Sequence, residues 1–367
     1  AKQSGITTLL ASTLKEGTQL RSALDIASTL DGLGATLGAS AGPNTLTISA
    51  HCLAEDHAAL LEIWADVLLH PSFPDAAVAR DKISQISSLR ESQEDPLTTC
   101  LLSLRRLLFG NQSYGLPPNG TEQTLELLTR NDLLEYHQKF FCAQNCKIAI
   151  AGDFEPYEMI ELLEHHLASM PQGEAFQSPA TAMHTNLTEQ AQRDKKQAVL
   201  AIGYPGLGAT DERRFAAMML LEYCSDMAGP LFTRIREELG LAYQVGAFMF
   251  HGHDAGMITF YLSTSPEQMD LAHRELQHQI RQIAEQGIPA DVFENVRATV
   301  LSGLVLQQQS PGSIARLASI DLLFGLPATH HREVHQLITA LQVDDVRAIA
   351  KALLQENKSV TAMVTPV

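Results

Sequence analysis

The chain has 367 residues, of which 45% are hydrophobic and 19% charged, with 23 Gly and 16 Pro. This is globular composition and excludes disordered, collagen-like and low-complexity chains. With 26 Lys plus Arg against 42 Asp plus Glu, the net charge is −16, the wrong sign for a nucleic-acid binder. No apolar run approaches the roughly 18 residues of a membrane helix, and the length implies two domains. Five cysteines without a C-x-x-C motif exclude a full disulfide framework and argue against a four-cysteine zinc site. The one close pair, Cys142 and Cys146, reads as buried or idle thiols.

In chain order, residues 21–33 have the spacing of an amphipathic helix stopped by Gly34. Residues 44–53 alternate Thr45, Thr47 and Ser49 with Leu46, Ile48 and Ala50, as a half-buried strand does. Helical spacing returns over 55–70 and 74–94, broken by Pro71 and Pro74, and 121–141 carries two helical pieces. The run Lys147–Asp153 reads as a buried strand, followed by a helix near 155–169. Residues 171–192 hold few large apolar side chains and no period, which marks a linker. The apolar strand 198–204 then opens the second half.

The two halves repeat. Pro74 and Pro289 open helical stretches, Pro96 and Pro311 follow at the same spacing, and Leu108-Phe109-Gly110 matches Leu323-Phe324-Gly325, all at offset 215. Weaker matches flank these, Asp132-Leu133-Leu134 with Asp345-Val346-Arg347, and Leu37-Gly38-Ala39 with Val245-Gly246-Ala247. Three landmarks at one offset mark a duplicated domain. The expected division is a first domain over 1–170, a linker over 171–192 and a second domain over 193–367. The second copy opens with a strand that the first lacks, so the expectation is a first domain short of its N-terminal strand or strands.

Several motifs carry possible chemistry. Gly38-Ala39-Ser40-Ala41-Gly42 fits G-x-S-x-G, but a nucleophile elbow needs a strand before the serine and a helix after it. Here a Pro and an alternating strand follow, so a small-residue turn is the better reading and a serine hydrolase at Ser40 is rejected. Gly206-Leu207-Gly208 follows a strand, but Asp211 would put a carboxylate against a pyrophosphate. His51, Glu55 and His57 cluster on a strand end and its turn, and His331 and His335 are four apart. Neither set forms H-E-x-x-H or H-x-x-E-H, and surface histidines are the default reading for both.

The stretch Gly5–Thr18, GITTLLASTLKEGT, resembles the helix of the pitrilysin/insulinase metallopeptidases, G-x-x-H-x-x-E-H-x-x-x-x-G-T. Aligned on Gly5 and Gly17-Thr18, the histidine positions hold Thr8 and Ser12, and the glutamate position holds Ala11. The third ligand of that family stands eight residues before the Pro of a D-x-P turn. Here the turn is Glu94-Asp95-Pro96 and the position is Ser88. Thr and Ser are poor zinc ligands and Ala cannot activate water, so no zinc is expected on this chain. The resemblance covers essentially the whole sequence, including YGLPPNGTEQTLELLTRNDLLEYHQKF and KIAIAGDF. It also includes the second-domain signature Gly229–Tyr243, with its Arg and Tyr seven apart as Arg236 and Tyr243.

That resemblance implies two related α+β domains, each a mostly antiparallel sheet with helices on one face, as in mitochondrial processing peptidase. It implies a chamber of four such domains, one half bearing zinc on H-x-x-E-H and the other supplying the Arg/Tyr pair. This chain is similar to the zinc-free half, either fused downstream of its partner, as in long bacterial members, or a separate subunit. The implied activity is proteolysis of peptides by the assembled pair, and the chain alone is expected to be inactive. Gly240 should end the helix bearing Arg236, leaving Arg236 and Tyr243 as two donors for one peptide carbonyl. On composition alone Arg236 would pair with a surface carboxylate and Tyr243 pack as a strand aromatic. The alternative role is purely structural, like the core proteins of respiratory complexes that share the fold.

Overall fold

The computed structural model describes residues 2–367. In chain order its helices begin with α1 (Ile6–Thr13) and α2 (Ala23–Gly32), followed by strands β1 (Thr36–Ala41) and β2 (Leu46–His51). Helices α3 (His57–Leu69), α4 (Asp75–Glu94), α5 (Pro96–Phe109), α6 (Glu122–Leu127), α7 (Arg130–Phe140) and α8 (Pro156–His166) come next. The rest comprises β3 (Leu187–Arg193), β4 (Ala198–Gly206), α9 (Arg214–Ser225), a π-helix (Leu231–Glu238), β5 (Gln244–His251) and β6 (Gly256–Thr264). Then follow α10 (Met269–Gln286), α11 (Phe293–Gln307), α12 (Pro311–Leu323), α13 (His330–Ala340), α14 (Val343–Leu353) and β7 (Val360–Pro366). The class is mixed α+β.

Two compact units share the chain. The first holds residues up to Arg90, Pro117–Pro179 and Gln309–Ala328; the second holds Glu91–Leu116, Ala180–Gln308 and Thr329–Val367. Helix α5, early in the sequence, thus belongs to the second unit, and α12, its counterpart at offset 215, belongs to the first. Both start on a proline in the first turn, where its missing N–H costs nothing. Asp95 caps α5 by accepting from Leu97 and Thr98 N–H, and Ser310 caps α12 by accepting from Ser313 N–H.

In the first unit β1 and β2 pair antiparallel, with Leu37 opposite Ala50 and Ala39 opposite Ile48. Leu9 and Leu10 of α1 and Leu14 just after it pack with Leu60, Ile63 and Val67 of α3 and Leu133 of α7. Residues 38–41 lie inside β1 rather than in a turn, with Ser40 exposed opposite Thr47. The reading of Lys147–Asp153 as a buried strand fails. The segment forms neither helix nor strand and is exposed or half-buried. Its side-chain pattern suits a strand, but a ladder also needs a partner, and none of the described strands runs beside it.

The second unit carries a five-stranded sheet in the order β3-β7-β4-β6-β5, with β3 and β7 parallel and the other pairs antiparallel. All of Ala198–Tyr204 in β4 is buried. Leu200, Ile202 and Tyr204 join one core with Phe215 and Leu220 of α9, Leu276 and Ile280 of α10, and Ile349 of α14. Val199 and Ala201 join another, with Cys100, Leu104 and Leu108 of α5 and Val360 and Ala362 of β7. The continuous apolar run of β4 is therefore a strand covered on both faces, and the second cover is a helix from much earlier in the chain. Gly203 makes room for it: a Cβ there would stand 3.1 Å from two Leu104 side-chain carbons. Leu104→Ala should cost about 2–5 kcal/mol, measured by chemical denaturation. A cost below ~1 kcal/mol would mean α5 is not a true cover.

Three histidines add a pH dependence. Burial holds His137, His251 and His273 below the ordinary imidazole value of 6.5. His137 Nε2 and His251 Nδ1 each lie against a backbone carbonyl, those of Leu68 and Leu207. These imidazoles stay neutral in the fold but take up protons in the unfolded chain once the pH drops below 6.5. Their penalty is absent above 6.5 and grows as pH falls from there through the depressed folded values. The urea midpoint should therefore be lower at about pH 5.5 than at about pH 7.5, and His273→Asn should shrink that difference.

Candidate functional site

Helix α1 places Thr8, Ala11 and Ser12 at i, i+3 and i+4, so they share a face. The Thr8 hydroxyl donates to the Pro118 carbonyl at 3.4 Å and the Asn119 side-chain oxygen at 3.3 Å. The Ser12 hydroxyl turns back on its own helix, to the Leu9 carbonyl at 3.0 Å. The Ala11 methyl is buried. Ser88 stands exposed on α4. One turn earlier on α4, Gln85 Nε2 donates to the Gly5 carbonyl at 3.2 Å and the Asn119 carbonyl at 2.9 Å. The loop at 117–120 sits directly on the start of α1. Gly5 and Gly120 both have positive φ, and a Cβ on Gly120 would lie 2.6 Å from the Ser4 carbonyl.

The end of the motif has its own role. The Thr18 hydroxyl donates to the buried Asp66 carboxylate at 2.7 Å, and Arg21 reaches the same oxygen. Gly17-Thr18 therefore fastens the chain after α1 to α3.

Zinc does not fit the four positions. They offer three hydroxyls, at Thr8, Ser12 and Ser88, and one methyl, with neither imidazole nor carboxylate among them. Among the described residues no group of three or more His, Cys, Asp or Glu is placed to hold a metal ion. His51 ends β2 and His57 Nδ1 lies 2.7 Å from the Ala54 carbonyl. The reading of His331 as a surface histidine is corrected. His331 is buried, because it lies on the same α13 stripe as Val334 and Ile338, while His335 faces outward.

Arg236 and Tyr243 sit on either side of a tight reversal. The π-helix buries Leu231 and Ile235 and leaves Arg236 exposed, its guanidinium carbon 5.0 Å from the Phe232 ring centroid. Gly240, at φ +60°, ends the helix as expected, and Leu241 N–H bonds back to the Ile235 carbonyl at 2.9 Å. Tyr243 N–H then bonds the Ser263 carbonyl at 2.8 Å, so its backbone joins the edge of β6 just before β5. Tyr243 is 55% exposed. Among the described residues no carboxylate pairs with Arg236; the neighbouring Arg234 takes Glu238 and Glu275 instead. No hydrogen bond joins Arg236 to Tyr243, and both residues are exposed.

Sequence reasoning anticipated a helix here but not its π character, a form common at functional sites. It also missed a polar groove of about 340 Å³ beside it, lined by Pro230, Thr233, Arg234, His278, Gln279 and Gln282. Nothing in the spacing of these residues signals it, since they come from two separate helices.

The fold is that of peptidase M16 proteins. A "peptidase M16 inactive domain" from Pseudomonas fluorescens superposes over 100% of this chain and 89% of its own, with TM-score 0.90 at 19% identity. A protease from Helicobacter pylori does so at TM-score 0.86 and 15% identity, covering 100% and 90%. The insulinase (peptidase family M16) model matches residues 1–120, and the peptidase M16 inactive domain model matches residues 127–300. The chain belongs to this family. It is similar to uncharacterized zinc proteases of Rickettsia bellii (28% identical, 84% of this chain and 74% of that protein) and Bacillus subtilis (26%, 99% and 88%).

Elemental analysis of the purified chain should find no stoichiometric zinc after mild chelation, because Thr8, Ala11, Ser12 and Ser88 supply no ligand set. About one retained zinc per chain would contradict the reading of the site.

Proposed function

We propose that this chain is the noncatalytic, substrate-binding half of a zinc metalloendopeptidase of the insulinase type, acting with a separate or fused half that carries H-x-x-E-H. The observation that carries this reading is the contrast between its two motif regions. The four positions of the zinc motif hold no ligand chemistry. Arg236 and Tyr243, in contrast, keep their spacing, their exposure and free hydrogen-bonding ends.

On this reading the Arg236 guanidinium and the Tyr243 hydroxyl donate to a carbonyl of the bound peptide. Arg236 brings a charged, planar fork, pre-oriented by its Phe232 stack. Tyr243 brings a single neutral donor on a backbone fixed to β6. Cleavage itself belongs to the other half, and zinc is expected there alone. Two related domains, joined through the sparse stretch at 171–192, complete the proposed organisation.

The test is kcat/KM of the assembled peptidase, with melting temperature as control. Tyr243→Phe keeps the ring and should lose about 10-fold, mainly in KM. Arg236→Ala should lose about 100-fold, since it removes a charge-assisted bond. Neither should lower Tm appreciably, because both side chains are exposed. Full activity in both variants would leave the chain a structural member of its family, the role held by respiratory-complex core proteins.

A further inference from the structure

The turn after α7 holds two cysteines around one carbonyl. Asn145 N–H and Cys146 N–H both donate to the Cys142 carbonyl, at 3.0 and 3.1 Å. This single hydrogen-bonded α-turn puts the Cα atoms of Cys142 and Cys146 about 6 Å apart, by the rise of 1.5 Å per residue. That spacing falls inside the roughly 4.4–6.8 Å window of disulfides. Both thiols are free in the structure, Cys142 buried and Cys146 half-buried.

The same turn anchors the start of the sparse stretch that follows α8. Ala143 N–H donates to the Pro171 carbonyl at 2.9 Å and Gln144 N–H to the Gln172 carbonyl at 3.3 Å. Phe176 N–H donates to the Asn145 side-chain oxygen at 2.7 Å, and the Phe176 ring meets Phe140 edge-on at 5.5 Å. Cys142 lies at the centre. Its sulfur accepts from Asn145 Nδ2 at 3.3 Å and faces the Glu174 carbonyl at 3.9 Å. Gly173, at φ +57°, lies so close that a Cβ there would be 2.4 Å from Cys142 Cβ and Sγ. Only glycine fits against this thiol, so the Cys142 side chain is part of the seat of residues 171–176.

We propose that Cys142 and Cys146 form a dithiol–disulfide switch, oxidised by a low-molecular-weight disulfide, whose closure pulls the Cys142 sulfur from its seat and frees residues 171–176. The Cys146 thiolate, the more accessible of the two, attacks one sulfur of the small disulfide. A mixed disulfide forms and one small thiolate leaves, taking up a proton. The Cys142 thiolate then attacks the Cys146 sulfur, the internal bond forms, and the second small thiol departs. Two protein thiols are oxidised and one small disulfide is reduced to two thiols. Burial raises the Cys146 thiol above its ordinary range, so the exchange is slow rather than instantaneous. In the closed form Cys142 Sγ is bonded to Cys146, and it can no longer fill the space over Gly173 or accept from Asn145 in the same orientation. Asn145 then loses one of its three side-chain hydrogen bonds, keeping those to the Phe140 carbonyl and from Phe176 N–H.

The experiment equilibrates the full chain in glutathione buffers from fully reduced to fully oxidised. Mass spectrometry of the peptides spanning 142–146 reports the bond, and amide hydrogen exchange at Phe176, Ala143 and Gln144 reports the anchor. The expected result is a loss of about 2 Da in the Cys142–Cys146 peptide, with exchange at Phe176 faster by about 10-fold or more. Dithiothreitol should reverse both. Cys146→Ser should abolish the mass change and keep exchange slow in every buffer, and Cys146→Ala serves if the hydroxyl disturbs the fold. Two results would overturn the proposal: no internal disulfide at any glutathione ratio, or a disulfide that leaves Phe176 exchange unchanged.

Discussion

Strand β4 has no solvent face, and the second unit is organised by that constraint. A strand buried on both sides must be paired along both edges and covered above and below. Its neighbours β6 and β7 satisfy the backbone, with Ile202 opposite Phe260 and Ala201 opposite Ala362. One face receives α9, α10 and α14, and the other receives α5. Burial on the α5 side is dense enough to push the Cys100 thiol up to about 12. The Arg236 and Tyr243 positions descend from this arrangement. Leu231 and Ile235 root the π-helix in the same core as β4, and Ser263 of β6 fixes the backbone of Tyr243. Two exposed residues are thus held by three buried ones, Leu231, Ile235 and Ser263, the kind of support a binding site needs.

In the first unit the four positions that match the insulinase zinc motif, Thr8, Ala11, Ser12 and Ser88, carry no imidazole or carboxylate. In a zinc centre the ion cross-links the elements that supply its ligands. Here hydrogen bonds do that work. Gln85 ties α4 to Gly5 and Asn119, Thr8 ties α1 to the loop at 117–120, and Thr18 with Arg21 ties the chain after α1 to Asp66. The backbone contact between Gly5 and Gly120 is close enough to demand glycine at both positions. Helix α1 is therefore seated by hydrogen bonds and close backbone packing, which is consistent with the proposed division of labour between a zinc-bearing half and this one.

Much of this was legible in the sequence, for reasons that differ from one residue to the next. The residues Thr8, Ala11, Ser12 and Ser88 at the zinc-motif positions could be read directly, because side-chain identity needs no coordinates. The end of the Arg236 helix was legible because Gly240 needs positive φ. Gly34 stops α2 for the same reason, at φ +57°. What could not be read was partnership. Residues 147–153 carry a strand's side-chain pattern, yet a pattern does not provide a neighbouring strand. The apolar stripe of α5 announces a buried face but not that β4 lies under it, nearly a hundred residues away. His331 looks like any polar residue until its register with Val334 and Ile338 is known to face inward. The π-helix has no compositional mark, since its extra residue per turn is set by what the surrounding core accepts.

The proposed role of this chain rests on Tyr243 lying beside bound peptide in an assembled peptidase. A photo-crosslinking phenylalanine analogue introduced at position 243, irradiated with a slowly cleaved peptide, measures that proximity directly. The proposed role predicts a crosslink to peptide residues flanking the cleaved bond, abolished by excess unlabelled peptide. An assembly that turns over its peptide but gives no crosslink at position 243 would contradict it.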